Sequence, residues 1–412
     1  MKRELNMHSN KTNSNFSRRS VLLGIAASVA ELSGCGGGGA SAVAGLSSGG
    51  TGSFTSGVIM GLGSIIVNGI RYNNDAAQVI SRDDGSTLNQ SLSLGMVVSI
   101  QGSAVTPATT TTGLATATAT KISLGSEWLG PIANINVGSS TFTVLGNTVD
   151  ILNTTIFSGI ATDKSGLSGA AYAEIYGFVD ITTGHLQATH VATTNTQPSF
   201  YKTSGVVSNL VTNTSFRLGN TAIIFNSLTP STGTWSSGTQ VRVQLNTVPI
   251  GSSWSATSIQ AVTSPLHDLN VSDHDESEIH GTISSYITAN SFYVNGIPVS
   301  ASGISNFSAP AVGTTVEVQG AVSNGVVVAT SINVKTVNQL DTEDFEFVGT
   351  ISNLTPTNAN SGTFVLKNIT FSYTSSTITS GFNFSNYSNQ VVEMKATHLN
   401  GLWQAVSLEL HN

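Results

Sequence analysis

Residues 57–70 read Gly-Val-Ile-Met-Gly-Leu-Gly-Ser-Ile-Ile-Val-Asn-Gly-Ile, and this stretch decides the fold of the chain. Its apolar run ends in Asn68-Gly69. An Asn-Gly pair between β-branched residues is the strongest short-range signal for a two-residue hairpin turn, because both turn positions need positive φ. The same signal recurs at Asn295-Gly296, after a second apolar run. The sequence therefore predicts a strand followed by a tight hairpin at both places.

The beginning of this stretch recurs five times as a glycine, one variable residue and an apolar residue. The copies begin at Gly57, Gly130, Gly205, Gly281 and Gly349, so the steps between them are 73, 75, 76 and 68 residues. A unit of about 65 residues can close a marginal core of its own, whereas a shorter solenoid repeat cannot. We therefore expect five complete small modules that follow one another as a string.

Two further strands complete each module. Residues 95–102, Gly-Met-Val-Val-Ser-Ile-Gln-Gly, match residues 313–320, Gly-Thr-Thr-Val-Glu-Val-Gln-Gly, position by position. Residues 169–177 fit the pattern only with one residue inserted. A closing strand follows, with an alanine and an aliphatic residue three positions later, as at Ala119 and Ile122.

These signatures predict an all-β protein, a tandem array of five small five-stranded barrels of the oligonucleotide/oligosaccharide-binding (OB) type. The alternative is a set of small β-sandwiches. Closure into barrels is favoured because it removes the sheet edges that neighbouring modules would otherwise offer each other. The predicted boundaries are an export signal at 1–34, a flexible Gly/Ser/Ala linker at 35–54, β modules at 55–124, 126–195 and 201–264, an acidic linker at 265–277, and β modules at 278–337 and 345–412.

The first 35 residues are typical of an export signal, because a basic stretch precedes an apolar run at 21–30. Arg18-Arg19 resembles the centre of a twin-arginine signal. Residues 32–35, Leu-Ser-Gly-Cys, resemble a bacterial lipobox, in which the cysteine receives acyl chains such as palmitate. We expect Cys35 to be the lipidated first residue of the mature chain, and the membrane to be a partner through this lipid. The expected location is the cell envelope, at the bacterial outer membrane.

Charge and cysteine content narrow the class of protein further. Cys35 is the only cysteine, so no intramolecular disulfide can form. Without residues 1–34 the chain holds 10 Lys and Arg against 20 Asp and Glu, and no basic cluster is present. Such an acidic chain repels phosphate backbones, which excludes nucleic acid as an expected partner.

The motifs G-x-I, V-N-G and G-x-x-V-x-V-x-G resemble those of a family of bacterial secreted and lipid-anchored proteins built from tandem copies of a domain of unknown function. The resemblance covers the chain after Thr55 and is clearest in the first and fourth copies. It is weaker in the second and fifth. It implies a location and a type of module, and it carries no catalytic residues.

One locally charged stretch, residues 267–280, holds three of the eight histidines. On an extended strand His274 and His280 would lie about 20 Å apart and could not bind one ion. Glu278 and His280 remain a candidate pair for weak metal binding. The alternative is a solvated acidic linker that keeps neighbouring barrels apart, since charge runs at domain joints are usually solvated.

Aromatic residues in the variable loops are candidates for stacking against sugars. They are Trp235, Phe382, Phe384 and Tyr387. Packing on a barrel core is the preferred alternative for these four. Three further tryptophans fall at inward strand positions and are predicted to be core residues: Trp128, Trp254 and Trp403.

The sequence holds no catalytic constellation that we can identify. Hydrolysis needs a nucleophile with an oriented base, or paired carboxylates, and no G-x-S-x-G elbow is followed by a suitable acid and histidine. His185 and His190 are interpreted as surface or satisfied histidines. We expect no cofactor and no enzymatic activity. The leading hypothesis is a structural, adhesive or scaffolding surface protein, and the alternative is a protein that binds an oligosaccharide or cell-wall polymer. The partners considered, besides the membrane, are a cell-wall polymer and another surface protein.

Overall fold

The structure is a computed structural model. It describes residues 52–107, 114–180, 183–334, 345–358, 360–384, 387, 390–399 and 401–411. Within these residues the fold is all-β, with a 3-10 helix at Lys164–Gly169 and a short α-helix, α1, at Pro265–Asp268. No helix in these ranges is long and apolar enough to cross a membrane.

The first three barrels follow one another along the chain. Barrel 1 contains β1 (Gly52–Leu62), β2 (Ile65–Val67), β3 (Ile70–Asn73), β4 (Gln78–Ser81), β5 (Val97–Ser103) and β6 (Ala115–Leu124). Barrel 2 contains β7 (Trp128–Asn136), β8 (Thr141–Val144), β9 (Asn147–Gly159), β10 (Tyr172–Asp180) and β11 (His185–Thr194). Barrel 3 contains β12 (Tyr201–Val211), β13 (Ser215–Leu218), β14 (Thr221–Ile224), β15 (Ser231–Thr232), β16 (Gln240–Leu245) and β17 (Trp254–Ala261).

The last two barrels complete the array. Barrel 4 contains β18 (Glu276–Thr288), β19 (Ser291–Val294), β20 (Ile297–Ser300), β21 (Thr315–Ser323) and β22 (Val326–Val334). Barrel 5 contains β23 (Phe345–Thr350), β24 (Ser352–Asn358), β25 (Ser361–Leu366), β26 (Ile369–Tyr373), β27 (Ile378–Ser380), β28 (Val391–Leu399) and β29 (Leu402–Leu410).

All five barrels close in the same order. In barrel 2, for example, β7 pairs with β8, β8 with β9, β9 in parallel with β11, β11 with β10, and β10 back with β7. This order, with the third strand parallel to the fifth and the first paired with the fourth, is that of an OB-type barrel. Where more than five strands are present, barrel strands are interrupted, as β3 and β4 both pair with β6. The predicted barrels are confirmed, and the chain does not form the alternative sandwiches.

The repeated glycine of the first strand is explained by the hairpin turn of the same barrel. Asn295 has a φ of 49° and turns its side chain back onto β18, where its Oδ1 accepts a hydrogen bond of 3.0 Å from the Thr282 nitrogen. A Cβ at Gly281 would overlap that amide. In barrel 1 the same relation holds between Gly57 and Asn68. In these two barrels the G-x-I and V-N-G motifs therefore meet in one contact between the first strand and the hairpin turn.

A β-bulge recurs between the fourth and fifth strands of every barrel. The register shifts at Gln101/Gly102, Tyr176/Gly177, Gln244/Leu245, Gln319/Gly320 and Lys395/Ala396. A bulge inserts one unpaired residue and increases the local twist, which helps a small sheet to close. The shift at Tyr176/Gly177 places Gly177 as the counterpart of Gly102 and Gly320.

The barrels pack against one another, so the expectation of a string is wrong. Hydrophobic residues of barrels 1 and 5 form one core cluster, and those of barrels 2 and 3 form another. Phe54 and Ile80 of barrel 1 belong to the cluster of barrel 4. Strand β1 also pairs in parallel with β18 of barrel 4 and with β23 of barrel 5. Barrel 1 therefore contributes to the packing of both later barrels.

The segment predicted to be a solvated acidic linker is packed as well. Leu266 and Leu269 are buried in the core cluster of barrel 4. Asp275 is 2% exposed, and its Oδ1 accepts a hydrogen bond of 3.1 Å from the Gly52 nitrogen. Leu266 of α1 and Leu269, directly after it, supply apolar surface for packing, and the buried Asp275 joins this segment to the start of β1.

Candidate functional site

Several of the residues predicted to be functional lie outside the described residues. They are Cys35, Arg18 and Arg19, so lipidation and export remain predictions from the sequence.

The predicted aromatic ligand residues lie against barrel cores. The Trp235 ring lies 5.4 Å from the rings of Phe216 and Phe225, and it caps barrel 3. Phe384 stacks at 4.1 Å on Tyr373 of barrel 5. Phe382 is buried, and Tyr387 packs partly buried on the same core. All four rings are engaged in packing, and sugar binding through them stays a prediction.

Glu278 and His280 lie on the first strand of barrel 4, which pairs with β1 of barrel 1. Thr55 is the partner of Glu278 in that pairing. His280 is 5% exposed, and its ring lies 6.0 Å from Phe178 of barrel 2. Among the residues that the structure describes, no group of three or more His, Cys, Asp and Glu is placed to hold a metal ion.

The most distinctive polar feature is a cluster of charged side chains between barrels 1, 2 and 3, which we term the charged joint. It comprises Arg82, Asp83, Glu127, Lys202 and Arg242. Lys202 Nζ lies 2.8 Å from Asp83 Oδ2, and Arg242 Nη1 lies 3.0 Å from Glu127 Oε2. The second Glu127 oxygen, Oε1, lies 2.9 Å from Arg82 Nη1. Opposite charges from three parts of the chain are thus interleaved.

The side chains of the charged joint are buried, which distinguishes them from ion pairs on the protein surface. Glu127, Lys202 and Arg242 are 7%, 5% and 4% exposed. Further hydrogen bonds satisfy their remaining atoms, because Ser204 Oγ donates to Glu127 and Arg242 donates to the Ser126 carbonyl. A buried ion pair is tolerated only when geometry is good and the remaining donors and acceptors are satisfied. The charged joint meets both conditions.

The electrostatics of the joint keep its carboxylates ionised. Burial by itself raises the pKa of Asp83, but Arg242 and Lys202 outweigh it and hold that pKa well below its ordinary value. Burial likewise opposes ionisation of Glu127, yet Arg242 and Arg82 lower its pKa. Both carboxylates therefore remain charged at every pH near neutrality.

Barrels 2 and 3 also interlock through their hairpin turns. Asn147 Oδ1 accepts a hydrogen bond of 2.6 Å from the Asn220 nitrogen, and Asn147 Nδ2 donates to Thr221 Oγ1 at 2.8 Å. Thr221 Oγ1 donates in turn to the Leu145 carbonyl at 2.9 Å. The turn of one barrel is therefore a hydrogen-bonding partner for the turn of the next.

Two cavities lie where several barrels meet, and both are small. One is lined by residues of barrels 1, 2, 4 and 5, among them Phe178, Thr189 and His280, and has a volume of about 40 Å³. The other, also of about 40 Å³, touches the charged joint at Arg82 and Glu127. Sites for small ligands usually enclose roughly 300–1,000 Å³. These two cavities have room for water and not for a sugar ring.

One hydroxyl-imidazole pair has the spacing of a nucleophile and its base. Ser158 Oγ lies 2.9 Å from His190 Nε2, and His190 Nδ1 lies 2.6 Å from the Leu94 carbonyl. The base is held by a carbonyl of another barrel instead of a carboxylate, and the imidazole is 1% exposed. The buried imidazole therefore links barrel 2 to barrel 1 through the Leu94 carbonyl, and Ser158 contacts it from within barrel 2.

Comparison with known proteins identifies the modules. The family model described as a domain of unknown function (DUF5666) matches residues 130–192, 280–333 and 348–409. Three segments of the chain are therefore similar to one domain of unknown function, in tandem, and the matches fall on barrels 2, 4 and 5. The family model does not match barrel 1, although the sequence of barrel 1 follows the repeated motifs closely.

Loop length separates the matched barrels from the unmatched ones. The fourth and fifth strands are joined by 4, 2 and 2 residues in barrels 2, 4 and 5. The corresponding connections have 11 residues in barrel 1 and 8 in barrel 3. Barrels 1 and 3 thus share the strand order and differ in this hairpin.

Two further comparisons add little. No curated protein matches the chain. A solved structure described as drosophila Unr CSD456 is similar at 15% identity over 52% of this chain and 98% of that chain, with a TM-score of 0.13. The OB-type assignment rests on the strand order that the five barrels share.

None of the five residues of the charged joint is among those that the sequence singled out as functional. Charged residues make up only 9% of the chain, so each one that falls on a strand is informative. Lys202 and Arg242 lie on β12 and β16, and Arg82-Asp83 follows β4 directly. Basic residues on strands of an otherwise weakly charged barrel were the available signal. Their partners could not be identified, because Asp83 and Arg242 are 159 residues apart.

Proposed function

We propose that this chain is a non-catalytic lipoprotein of the bacterial cell envelope whose five packed barrels form one platform with a structural, adhesive or scaffolding role. The observation that carries this proposal is the charged joint. Removing one partner of a buried ion pair leaves an uncompensated charge at a cost of several kcal/mol. Glu127, Lys202 and Arg242 are therefore compatible with burial only while barrels 1, 2 and 3 stay together.

The small cavities support a role that does not depend on a deep site. Both have volumes of about 40 Å³. A platform of this kind offers surface for contacts spread over several barrels, and repeated weak contacts give avidity. The membrane is one partner, through the acyl chains on Cys35. Another surface protein is the second partner in this proposal.

The position of Cys35 sets how far the platform stands from the membrane. Gly52, the first described residue, follows Cys35 by 17 positions. A fully extended chain spans at most about 3.6 Å per residue, so the tether reaches roughly 60 Å. Barrel 1, which carries the tether, is also the barrel that pairs with barrels 4 and 5. Tension on the lipid is thereby transmitted to the whole platform.

Membrane fractionation of cells that express the full chain tests the anchor. Cys35→Ser is expected to move the protein from the membrane to the soluble fraction and to abolish labelling by palmitate. Ser41→Ala, a change in the tether that keeps the cysteine, should leave both unchanged. Unchanged fractionation of Cys35→Ser would contradict the lipid anchor.

A glycan screen of the full chain in detergent separates the platform from its alternative. The platform hypothesis predicts that no sugar class raises the melting temperature by several degrees. A rise in melting temperature with one sugar class that is lost in Trp235→Ala would favour a protein that binds an oligosaccharide or cell-wall polymer.

The metal content of the purified full chain tests the hypothesis that Glu278 and His280 bind a metal ion. Zinc or calcium that stays bound during purification and is lost in Glu278→Gln would favour that hypothesis over the platform.

A further inference from the structure

Two buried histidines lie where barrel 2 meets its neighbours. His190 belongs to β11 of barrel 2 and reaches barrel 1, where its Nδ1 lies 2.6 Å from the Leu94 carbonyl. A carbonyl only accepts, so the proton is on Nδ1. Nε2 is then an acceptor, and the Ser158 hydroxyl, 2.9 Å away, donates to it. The neutral form of His190 satisfies both of its nitrogens, one across the joint at Leu94 and one within barrel 2 at Ser158.

His398 makes the corresponding contact from barrel 5. It is 5% exposed, and its ring lies 4.3 Å from Trp403. The imidazole hydrogen-bonds to the backbone of Thr154 in barrel 2. Its Nδ1 is buried and has no hydrogen-bond partner among the described residues. A proton on Nδ1 would therefore be a buried, charged donor without an acceptor, which is strongly unfavourable.

We propose that acidification loosens barrel 2 from barrels 1 and 5, because these joints bury His190 and His398 away from the water that would solvate their imidazolium forms. When a joint opens, water can solvate the imidazolium. Protons therefore bind the open form better than the closed form, and lowering the pH shifts the population toward the open form. The joints act as an acid-sensitive fastening of the second barrel.

The direction of the pKa shifts agrees with this geometry. Burial lowers the pKa of His398 to about 4. Burial also lowers the pKa of His190, although the Leu94 carbonyl and Glu174 oppose the shift. A lowered pKa means that stability is fully present above the unfolded value of about 6.5 and is lost as the pH falls toward the folded value. The sensitive window thus runs from about pH 6.5 to about pH 4.

The other titratable groups near these joints do not reverse the effect. Glu174 and Tyr176, on β10, are the groups that face His190, and Tyr176 Oη donates to Glu174 Oε1 at 3.3 Å. On the strands beside His398, Lys395 lies 3.5 Å from Glu346, so these two charges pair with each other. Asp163 of barrel 2 lies close to Gly401, in the hairpin that follows β28. Hydrogen bonds from Ser165 and Gly166 lower the pKa of Asp163, so it stays charged through the window.

His280 and His185 differ from this pair. Glu317 lies directly opposite His280 in the pairing of β18 with β21, and its carboxylate can compensate an imidazolium. His185 is partly exposed and lies 3.1 Å from Asp150. His185 therefore provides the matched control for the two joint histidines.

Hydrogen exchange of the full chain, corrected for the intrinsic rate, tests the proposal. With a pKa that moves from 6.5 to about 4, His398 alone is expected to raise the opening equilibrium of its joint about twentyfold between pH 7 and pH 5. The amides around Thr154 and Leu94 should lose protection accordingly. The amides around Asn147 and Thr221, in the joint of barrels 2 and 3, should keep theirs.

Variants assign the effect to the histidines. His398→Gln keeps a donor for the Thr154 carbonyl and cannot titrate, so it should abolish the pH response around Thr154. His185→Gln should leave the response unchanged. A response smaller than about threefold in the unmodified chain, or equal effects of the two variants, would overturn the proposal.

A second measurement needs no variant. Nuclear magnetic resonance titration of the histidine ring protons in the full chain should give pKa values below 6.5 for both His190 and His398. Ordinary values for both rings would overturn the proposal even if the variants fail to fold.

Discussion

Barrels 1 and 3 are joined by charged side chains, whereas barrel 2 is fastened to barrels 1 and 5 by neutral histidines. Both arrangements bury polar groups between barrels. In the charged joint, Arg242 and Lys202 keep Asp83 and Glu127 ionised. In the histidine joints, burial favours the uncharged ring and outweighs the carbonyl acceptors, which by themselves raise the pKa of each imidazole. The comparison teaches that one array of similar barrels can contain joints that respond to different ranges of pH.

The largest expected effect comes from breaking the charged joint. Arg242→Met removes the side chain that lies between Asp83 and Glu127 and leaves two buried carboxylates with fewer partners. We expect a loss of about 3–5 kcal/mol in the free energy of unfolding, measured by urea denaturation. Arg217→Met, in the same barrel but at a more exposed position, should cost less than about 1 kcal/mol. Equal losses in the two variants would contradict the importance of the joint.

A substitution inside a single barrel gives a stability change with which the losses at the two kinds of joint can be compared. Gly281→Ala places a Cβ against the Asn295 amide and is expected to cost about 1–3 kcal/mol through overpacking. Gly205→Ala occupies the same position in barrel 3, where the nearest atom, Leu218 Cβ, is 3.5 Å from the added carbon. That variant should be close to neutral. Thermal unfolding of both proteins, monitored by circular dichroism, measures the difference, and a neutral Gly281→Ala would refute the coupling of the two motifs.

Acid titration separates the two kinds of joint. Asp83 and Glu127 have lowered pKa values, so their contribution to stability is present above the unfolded value of about 4 and is lost as the pH falls below it. The stability difference between the unmodified chain and Arg242→Met should stay constant from about pH 7 to about pH 5. Below about pH 4 it should shrink by at most about 1.4 kcal/mol per pH unit for each carboxylate. A difference that already shrinks at pH 6 would contradict the assignment.

The smallest predicted effect concerns a single hydrogen bond beside the charged joint. Trp128 Nε1 donates to the Ser204 carbonyl at 3.1 Å and links barrel 2 to barrel 3. Trp128→Phe removes the donor and is expected to cost about 0.5–1.5 kcal/mol, with additional loss from the smaller ring. Urea denaturation of this variant in the Arg242→Met background tests whether the bond belongs to the joint. Fully additive losses would show that it acts independently.

The interiors of the barrels were predictable because their determinants are local. Asn68-Gly69 and Asn295-Gly296 mark turns within a few residues of the strands that they connect. The turns at Leu145 and Lys367 are harder to predict from sequence. Both residues have a positive φ in a two-residue turn, although neither residue type favours a positive φ. In those barrels the strand pairing on either side fixes the turn. The alternation of apolar residues was enough to place the strands.

The joints could not be predicted because their partners are far apart in sequence. The contact between Asp83 and Lys202 spans 119 residues, and nothing near either residue indicates the other. The segment around Leu266 shows the same limit. Its density of charges favoured a solvated linker, whereas two leucines and Asp275 are buried. Whether a charged segment is solvated depends on the surface that the neighbouring barrels present to it.

The central claim is that the five barrels form one body. Pulsed electron resonance distances between spin labels test it most directly, with cysteines introduced at Leu228 of barrel 3 and Leu402 of barrel 5 in a chain that carries Cys35→Ser. Both positions are strongly exposed, at 87% and 75%. The account predicts a single narrow distance distribution at neutral pH. A broad distribution, as expected for barrels that move independently, would contradict it.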